Sequence, residues 1–129
     1  MKGHSVGYTT SDGVYIQNMM VLKGDCTGPA SAEYVLRDPS VDFAVLETAR
    51  GGLLRAGLAF DHCDIGIVTN VAADHLGLKG IHTMEQLAKA KGVIPESVFP
   101  HGHAILNADD ELVYNMRKDL KCNIAFFSM

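Results

Sequence analysis

The chain has 129 residues, 47% of them hydrophobic, and a formal charge of −4 at pH 7. That length suits one domain or part of one, with enough apolar material for a core and nothing that reads as disordered. Weak acidity leaves no basic footprint for nucleic acid. No apolar run is long enough to span a bilayer and no charged leader precedes a signal core, so a cytoplasmic chain is expected, without nucleic-acid or membrane partners.

In chain order, residues 5–10 are a short strand candidate ending at Thr9-Thr10-Ser11-Asp12-Gly13, and residues 14–16 are a second extended piece. Gly28-Pro29 opens a helix to about Leu36, because proline suits the first helical position, and Asp38-Pro39 closes it. Phe43-Ala44-Val45-Leu46 is a nearly continuous apolar run, the mark of a strand covered on both faces, and it ends at Glu47. Ile65-Gly66-Ile67-Val68 is a second such run, ending at Thr69-Asn70. Thr83-x-x-Gln86 is a candidate capping box before a helix whose Met84, Leu87 and Ala88 share one face. Ala104-Ile105-Leu106, ending at Asn107, is a third strand run. Asp109 or Asp110 then caps a helix with Val113, Met116 and Leu120 on its apolar face, and Arg117 and Lys118 suit its C-terminal dipole. Residues 123–127 form the fourth run.

Strands alternating with helices predict an α/β fold, a three-layer, mostly parallel sheet. Ligands in such sheets bind beyond the C-terminal strand ends. The polar groups after each run, at 9–12, 47–50, 69–75 and 107–110, are therefore expected to converge on one edge.

Each group has a functional and a plain structural interpretation. Glu47, a carboxylate at a strand end, can hold Mg²⁺ on nucleotide phosphates, or it can pair with Arg50 or cap the next turn. Arg50-Gly51-Gly52 allows close backbone approach to a ligand, with Arg50 or Arg55 gripping phosphate or carboxylate, or it is an ordinary turn. His75, after Asp74, is a metal ligand or proton carrier, or a surface loop histidine; its surroundings do not match H-E-x-x-H. Lys91 follows Met84, Leu87 and Ala88 at the spacing of one helical face, whereas Lys89 points elsewhere. An inward lysine snorkels out, pairs with an acid, or is directed at nucleotide or metal. Capping accounts for Asn107 to Asp110, and His101-x-His103 is a poor metal pair. Cys26, Cys63 and Cys122 lack the spacing of a disulfide framework or zinc site.

Taken in order, Thr9-Thr10-Ser11-Asp12-Gly13-Val14-Tyr15-Ile16, Gly24-Asp25-Cys26-Thr27-Gly28-Pro29, Val45-Leu46-Glu47-Thr48-Ala49-Arg50-Gly51-Gly52, Thr69-Asn70-Val71-Ala72-Ala73-Asp74-His75-Leu76-Gly77 and Leu106-Asn107-Ala108-Asp109-Asp110 are more specific than any one alone. The set resembles the central Mur-ligase-like, ATP-binding domain of the cyanophycin synthetase family and covers nearly the whole chain. The resemblance implies a P-loop-type α/β domain and an ATP-dependent ligase that phosphorylates a carboxylate and lets an amine attack the acyl phosphate. It implies ATP and Mg²⁺ as cofactors, and an amino-acid and polypeptide substrate, with arginine added to a poly-aspartate backbone. By motif position it gives Glu47 to the nucleotide-associated Mg²⁺ and His75 to a second Mg²⁺. It gives Lys91 a catalytic place and, if carbamylated, a metal-holding one. Thr10, Asp12, Asn70 and Asp74 fall to cofactor binding.

The family's glycine-rich phosphate loop of the G-x-x-G-K-T type is not among these 129 residues. The expectation is thus a partial domain over 1–129, without that loop and without the C-terminal domain, and inactive on its own. The alternatives are a binding or interaction module that kept the fold, or a piece of another Mur-type ligase. Exposed sheet surface in any of these favours homo-oligomers.

Overall fold

In a computed structural model of the chain, residues 3–49, 57–71 and 84–128 are described. The chain divides into two compact units, residues 1–59 and 60–129.

Among the described residues the first unit holds a four-stranded sheet and one helix. Strand β1 (Val6–Thr9) turns through Thr10-Ser11-Asp12 into β2 (Gly13–Ile16), and β2 turns into β3 (Met19–Lys23). Both pairings are antiparallel. Helix α1 (Pro29–Arg37) then leads to β4 (Phe43–Leu46), which pairs parallel to β1, so the order is β3-β2-β1-β4. The helix begins where expected, with Gly28 extended at its N-cap and Pro29 at its first position. It ends at Asp38, whose carboxylate accepts from the Ser40 hydroxyl at 2.7 Å and the Ser40 N–H at 2.8 Å. Those two bonds, the hydroxyl first, hold the Asp38 carboxyl below its ordinary range. Glu33 and Arg37 add an exposed i,i+4 ion pair.

Helix α1 lies on the face carrying Gly7, Val14 and Ile16. Val14 and Val35 are fully buried there, with Cys26 beside them and Val41 and Leu46 packed against the cluster. Gly7 permits the approach: a Cβ at this position would stand 2.7 Å from Val35 Cγ1 and 2.9 Å from Val41 Cγ2. The β2–β3 hairpin is closed by Gln17 and Asn18, with φ of 52° and 67°, a two-residue turn whose twist matches the strands it joins. Strand β3 was not anticipated: its apolar residues run consecutively, and all five positions are exposed on a sheet edge.

The second unit is a three-stranded parallel sheet, β5-β6-β7, with β5 (Cys63–Val68), β6 (Val98–Asn107) and β7 (Asn123–Phe127). Between β5 and β6 come α2 (Met84–Lys91) and the short α3 (Val93–Glu96). Between β6 and β7 come α4 (Glu111–Asn115) and a 3₁₀ turn, Met116–Asp119. The candidate cap Thr83 lies outside the described residues; α2 itself buries Leu87, as the periodicity predicts. Leu87, Leu106 and Val113 are fully buried, with Val68, Val71 and Met116 completing the core and Met84, Ala88, Leu120 and Ile124 packed on it. Each buried Leu or Val side chain contributes about 1.5–3 kcal/mol. Arg117, expected only to suit the dipole, lies 4.0 Å over the Tyr114 ring and donates to the Tyr114 carbonyl.

The α/β class and the parallel strands are as predicted. Burial on both strand faces is not: Val45 is 51% exposed, and Ile65 and Ile67 are 53% and 54% exposed. The reason is positional. In β5 the positions of Gly66 and Val68 face inward and are buried, whereas the side chains of Ile65 and Ile67 project from the opposite face.

Candidate functional site

In each unit the polar groups after the strands gather at the C-terminal strand ends. In the first unit, β1 and β4 run parallel in register from Val6↔Phe43 to Thr9↔Leu46, which brings Glu47 beside the Thr9–Thr10 corner. The Glu47 N–H donates to Thr9 Oγ1 at 3.1 Å and more loosely to the Thr9 carbonyl at 3.4 Å. Thr9 is only 2% exposed, so its hydroxyl is a fixed point. The Glu47 side chain beyond it is exposed.

Thr10 is committed to its own turn. Its Oγ1 accepts from the Asp12 N–H at 3.0 Å and the Gly13 N–H at 3.1 Å, and donates to the Gly13 carbonyl at 3.3 Å. That leaves Asp12 as an exposed carboxylate at the tip. The loop before α1 lies along this corner: Gly24 donates to the Asp12 carbonyl at 2.9 Å, Cys26 to the Thr10 carbonyl at 3.1 Å, and Ala49 to the Thr27 carbonyl at 3.4 Å. Thr27, buried, bonds Asp25 through its hydroxyl at 2.7 Å. Asp25 and Thr27, part of the quoted 24–29 stretch but not singled out as site residues, thus border the corner through the Thr27 carbonyl. The Asp-x-Thr spacing of an Asx turn is the signal that marks them.

In the second unit three side chains grip three successive residues after β5. Asn107 Nδ2 donates to the Thr69 carbonyl at 2.9 Å, Lys91 Nζ donates to the Asn70 carbonyl at 3.1 Å, and the Val71 N–H donates to Asp110 Oδ2 at 2.9 Å. Asp110 also caps α4, its Oδ1 accepting from Leu112 at 3.0 Å and Val113 at 3.2 Å. Lys91 is half-buried and turned toward the β5 end, whereas Lys89 is exposed, as the helical spacing predicts. Within each unit two of the expected groups meet: 9–12 with 47 in the first, and 69–71 with 107–110 in the second, where Lys91 joins them. Arg50, Gly51, Gly52, Arg55, Asp74 and His75 lie outside the described residues.

Among the described residues no three His, Cys, Asp or Glu side chains converge on a point. One exposed carboxylate at a strand end, Glu47, still fits magnesium, which keeps several waters and takes one or two carboxylates beside substrate phosphates. The cysteines are free thiols. Burial, followed by the nearby Asp64 and Cys122, pushes the Cys63 thiol up, away from the thiolate a nucleophile needs. No helix among the described residues is long and apolar enough to cross a membrane.

Comparison with known proteins places this geometry. Residues 7–129 match the Mur ligase middle domain family. The chain is 62% identical over 127 residues to a cyanophycin synthetase of Geminocystis herdmanii, and equally to that of a Synechocystis species. The match covers 98% of this chain but 14% of each relative, so the chain spans about one seventh of their length. Among solved structures, a UDP-N-acetylmuramoyl-L-alanyl-D-glutamate–2,6-diaminopimelate ligase aligns over 97% of this chain and 26% of its own, with TM-score 0.71 and 23% identity. The E. coli FolC structure with DHPP and ADP aligns over 96% of this chain and 36% of its own, with TM-score 0.62 and 18% identity. A parallel-stranded α/β fold with its polar groups at the strand ends, a family match across nearly all of its length and close relatives among the cyanophycin synthetases together make this chain a member of the Mur ligase middle domain family.

Proposed function

We propose that this chain is the metal-holding part of the ATP-using domain of an amide-forming ligase of cyanophycin synthetase type. What supports this most is the 62% identity to two cyanophycin synthetases over 98% of the chain. The relevant side chains lie at the C-terminal strand ends, where α/β domains bind ligands. In the reaction, a substrate carboxylate oxygen takes the γ-phosphoryl group of ATP and ADP leaves. The amine of an incoming arginine then attacks that acyl carbon on a poly-aspartate chain, forming the amide as phosphate leaves and the nitrogen gives up a proton.

Glu47 would hold the magnesium that accompanies the nucleotide, held in place by its N–H bond to Thr9. Magnesium, when bound, neutralises phosphate charge and orients the transfer. Asp12 shares that exposed corner and belongs to cofactor binding. Thr10 serves it by shaping the turn, since its hydroxyl is spent on the Asp12 and Gly13 backbone. Lys91 and Asn70 lie at the β5 end, where Lys91 would face the acyl phosphate as a cation or, carbamylated, hold a second magnesium with His75; Asp74 belongs to the same segment.

No G-x-x-G-K-T loop occurs in the 129 residues, so the chain alone should not turn over ATP. The deciding experiment uses a full-length ligase of the relatives' length carrying this segment. Glu47→Ala there should lower arginine-dependent ADP release by about 100-fold or more, the scale of a lost electrostatic contact in phosphoryl transfer, with the thermal melt unchanged. Undiminished turnover refutes the role of Glu47, and turnover with no amino-acid acceptor dependence refutes the ligase.

A further inference from the structure

Asn70 O and Val71 N belong to one peptide unit. The peptide is trans, so its carbonyl and its N–H point in opposite directions. On one side the Lys91 ammonium donates to the carbonyl at 3.1 Å, and on the other the N–H donates to Asp110 Oδ2 at 2.9 Å. A cation at the carbonyl and a carboxylate at the N–H polarise the same peptide in the same sense, and each bond strengthens the other. Turning this peptide would break both.

The carboxylate is itself locked. Its second oxygen, Oδ1, accepts two N–H groups of the first turn of α4. Capping alone needs one oxygen and is served as well by serine or asparagine. Here both oxygens are in use, for different structures: one for α4 and one for the loop after β5. Val71, which carries the N–H, is 6% exposed and packed in the core, and Asn107 holds the preceding Thr69 carbonyl. The peptide therefore has little freedom except through Asp110.

We propose that Asp110 is a positioning residue for Lys91, acting through the Asn70–Val71 peptide. This rests on the proposed role of Lys91 for its catalytic meaning, though not for the coupling itself. Asp110 fixes the direction of the carbonyl that holds the Lys91 amine, and so fixes where α2 presents that amine.

Asp110→Ser separates the two uses, because serine keeps a capping oxygen and loses the one that reaches Val71. The purified chain is trace-labelled by reductive methylation, and Lys91 modification is read against Lys89, the exposed lysine of the same helix. In Asp110→Ser the Lys91 to Lys89 ratio should rise about threefold or more, less than the full worth of a hydrogen bond to a charged group. A wild-type ratio in folded Asp110→Ser overturns the proposal, since a residue that only caps α4 has no effect on it. Should Asp110→Ser fail to fold by circular dichroism, Asp110→Asn, which keeps the shape and one acceptor, is measured against the same two outcomes. In the full-length ligase, Lys91→Met with undiminished kcat would remove the catalytic role of Lys91 while leaving the labelling result intact, so the two failures are distinguishable.

Discussion

Thr9 Oγ1 sits 3.1 Å from the Glu47 N–H, so the buried hydroxyl of one strand sets the end of its parallel neighbour. This bond ties the placement of a candidate metal ligand to the core. Thr9→Val keeps the side-chain shape and removes the acceptor. It should cost about 1 kcal/mol, the net worth of one hydrogen bond, seen as a lower urea midpoint. Thr9→Ser should restore most of it. An unchanged midpoint in Thr9→Val would show that the Thr9 carbonyl alone suffices.

Leu106 is fully buried at the C-terminal end of β6, between α2 and α4. Leu106→Ala should destabilise the chain by about 2–5 kcal/mol through lost burial and a cavity. Equilibrium urea unfolding measures it. A loss under about 1 kcal/mol would mean that the neighbours collapse into the space.

The close approach of α1 to β1 depends on the missing side chain at Gly7. Gly7→Ala should cost about 1–3 kcal/mol by overpacking against Val35 and Val41. Gly7→Ala combined with Val41→Ala should recover part of that loss. Thermal melts of the three proteins decide the matter, and additive losses would place the strain elsewhere.

Cys63 supplies a pH dependence with a definite sign. Its thiol pKa is raised, by burial first, so the folded state holds this proton more tightly than the unfolded chain. Its contribution to stability is full below the unfolded value and is lost as pH rises through the folded one. Stability of the wild type should thus fall on the alkaline side, above about pH 8.5. Cys63→Ala should flatten that limb in urea midpoints measured across it. Alkylation of Cys63 near neutral pH should also be slower than that of a cysteine in a free peptide.

Several of these features are legible in the sequence, and for local reasons. The runs at Phe43–Leu46 and Asn123–Phe127 coincide with β4 and β7 because continuous apolar stretches bounded by polar turns have few other solutions. Gly28-Pro29 and Asp110 mark helix starts by backbone chemistry that hardly depends on context. Lys91 was legible because helical spacing fixes its face. Strand β3 was not, since Met19–Lys23 lacks alternation and is ordered by pairing with β2. Helix α3 was missed because Pro95 sits inside its four residues. The second role of Asp110 is a contact between residues 39 apart, which no local spacing encodes. Burial on both strand faces was misjudged because an apolar side chain records what a surface prefers to meet, not what covers it in this chain.

Strand β3 has a chemical consequence. Met19 and Met20 are 71% and 47% exposed on the edge hairpin, whereas Met116 is 9% exposed in the core. Oxidation of methionine to its sulfoxide follows access of the oxidant to sulfur. Peroxide should therefore convert the hairpin pair well before Met116, making an apolar edge polar while the packing around Val14 and Leu106 stays as it was.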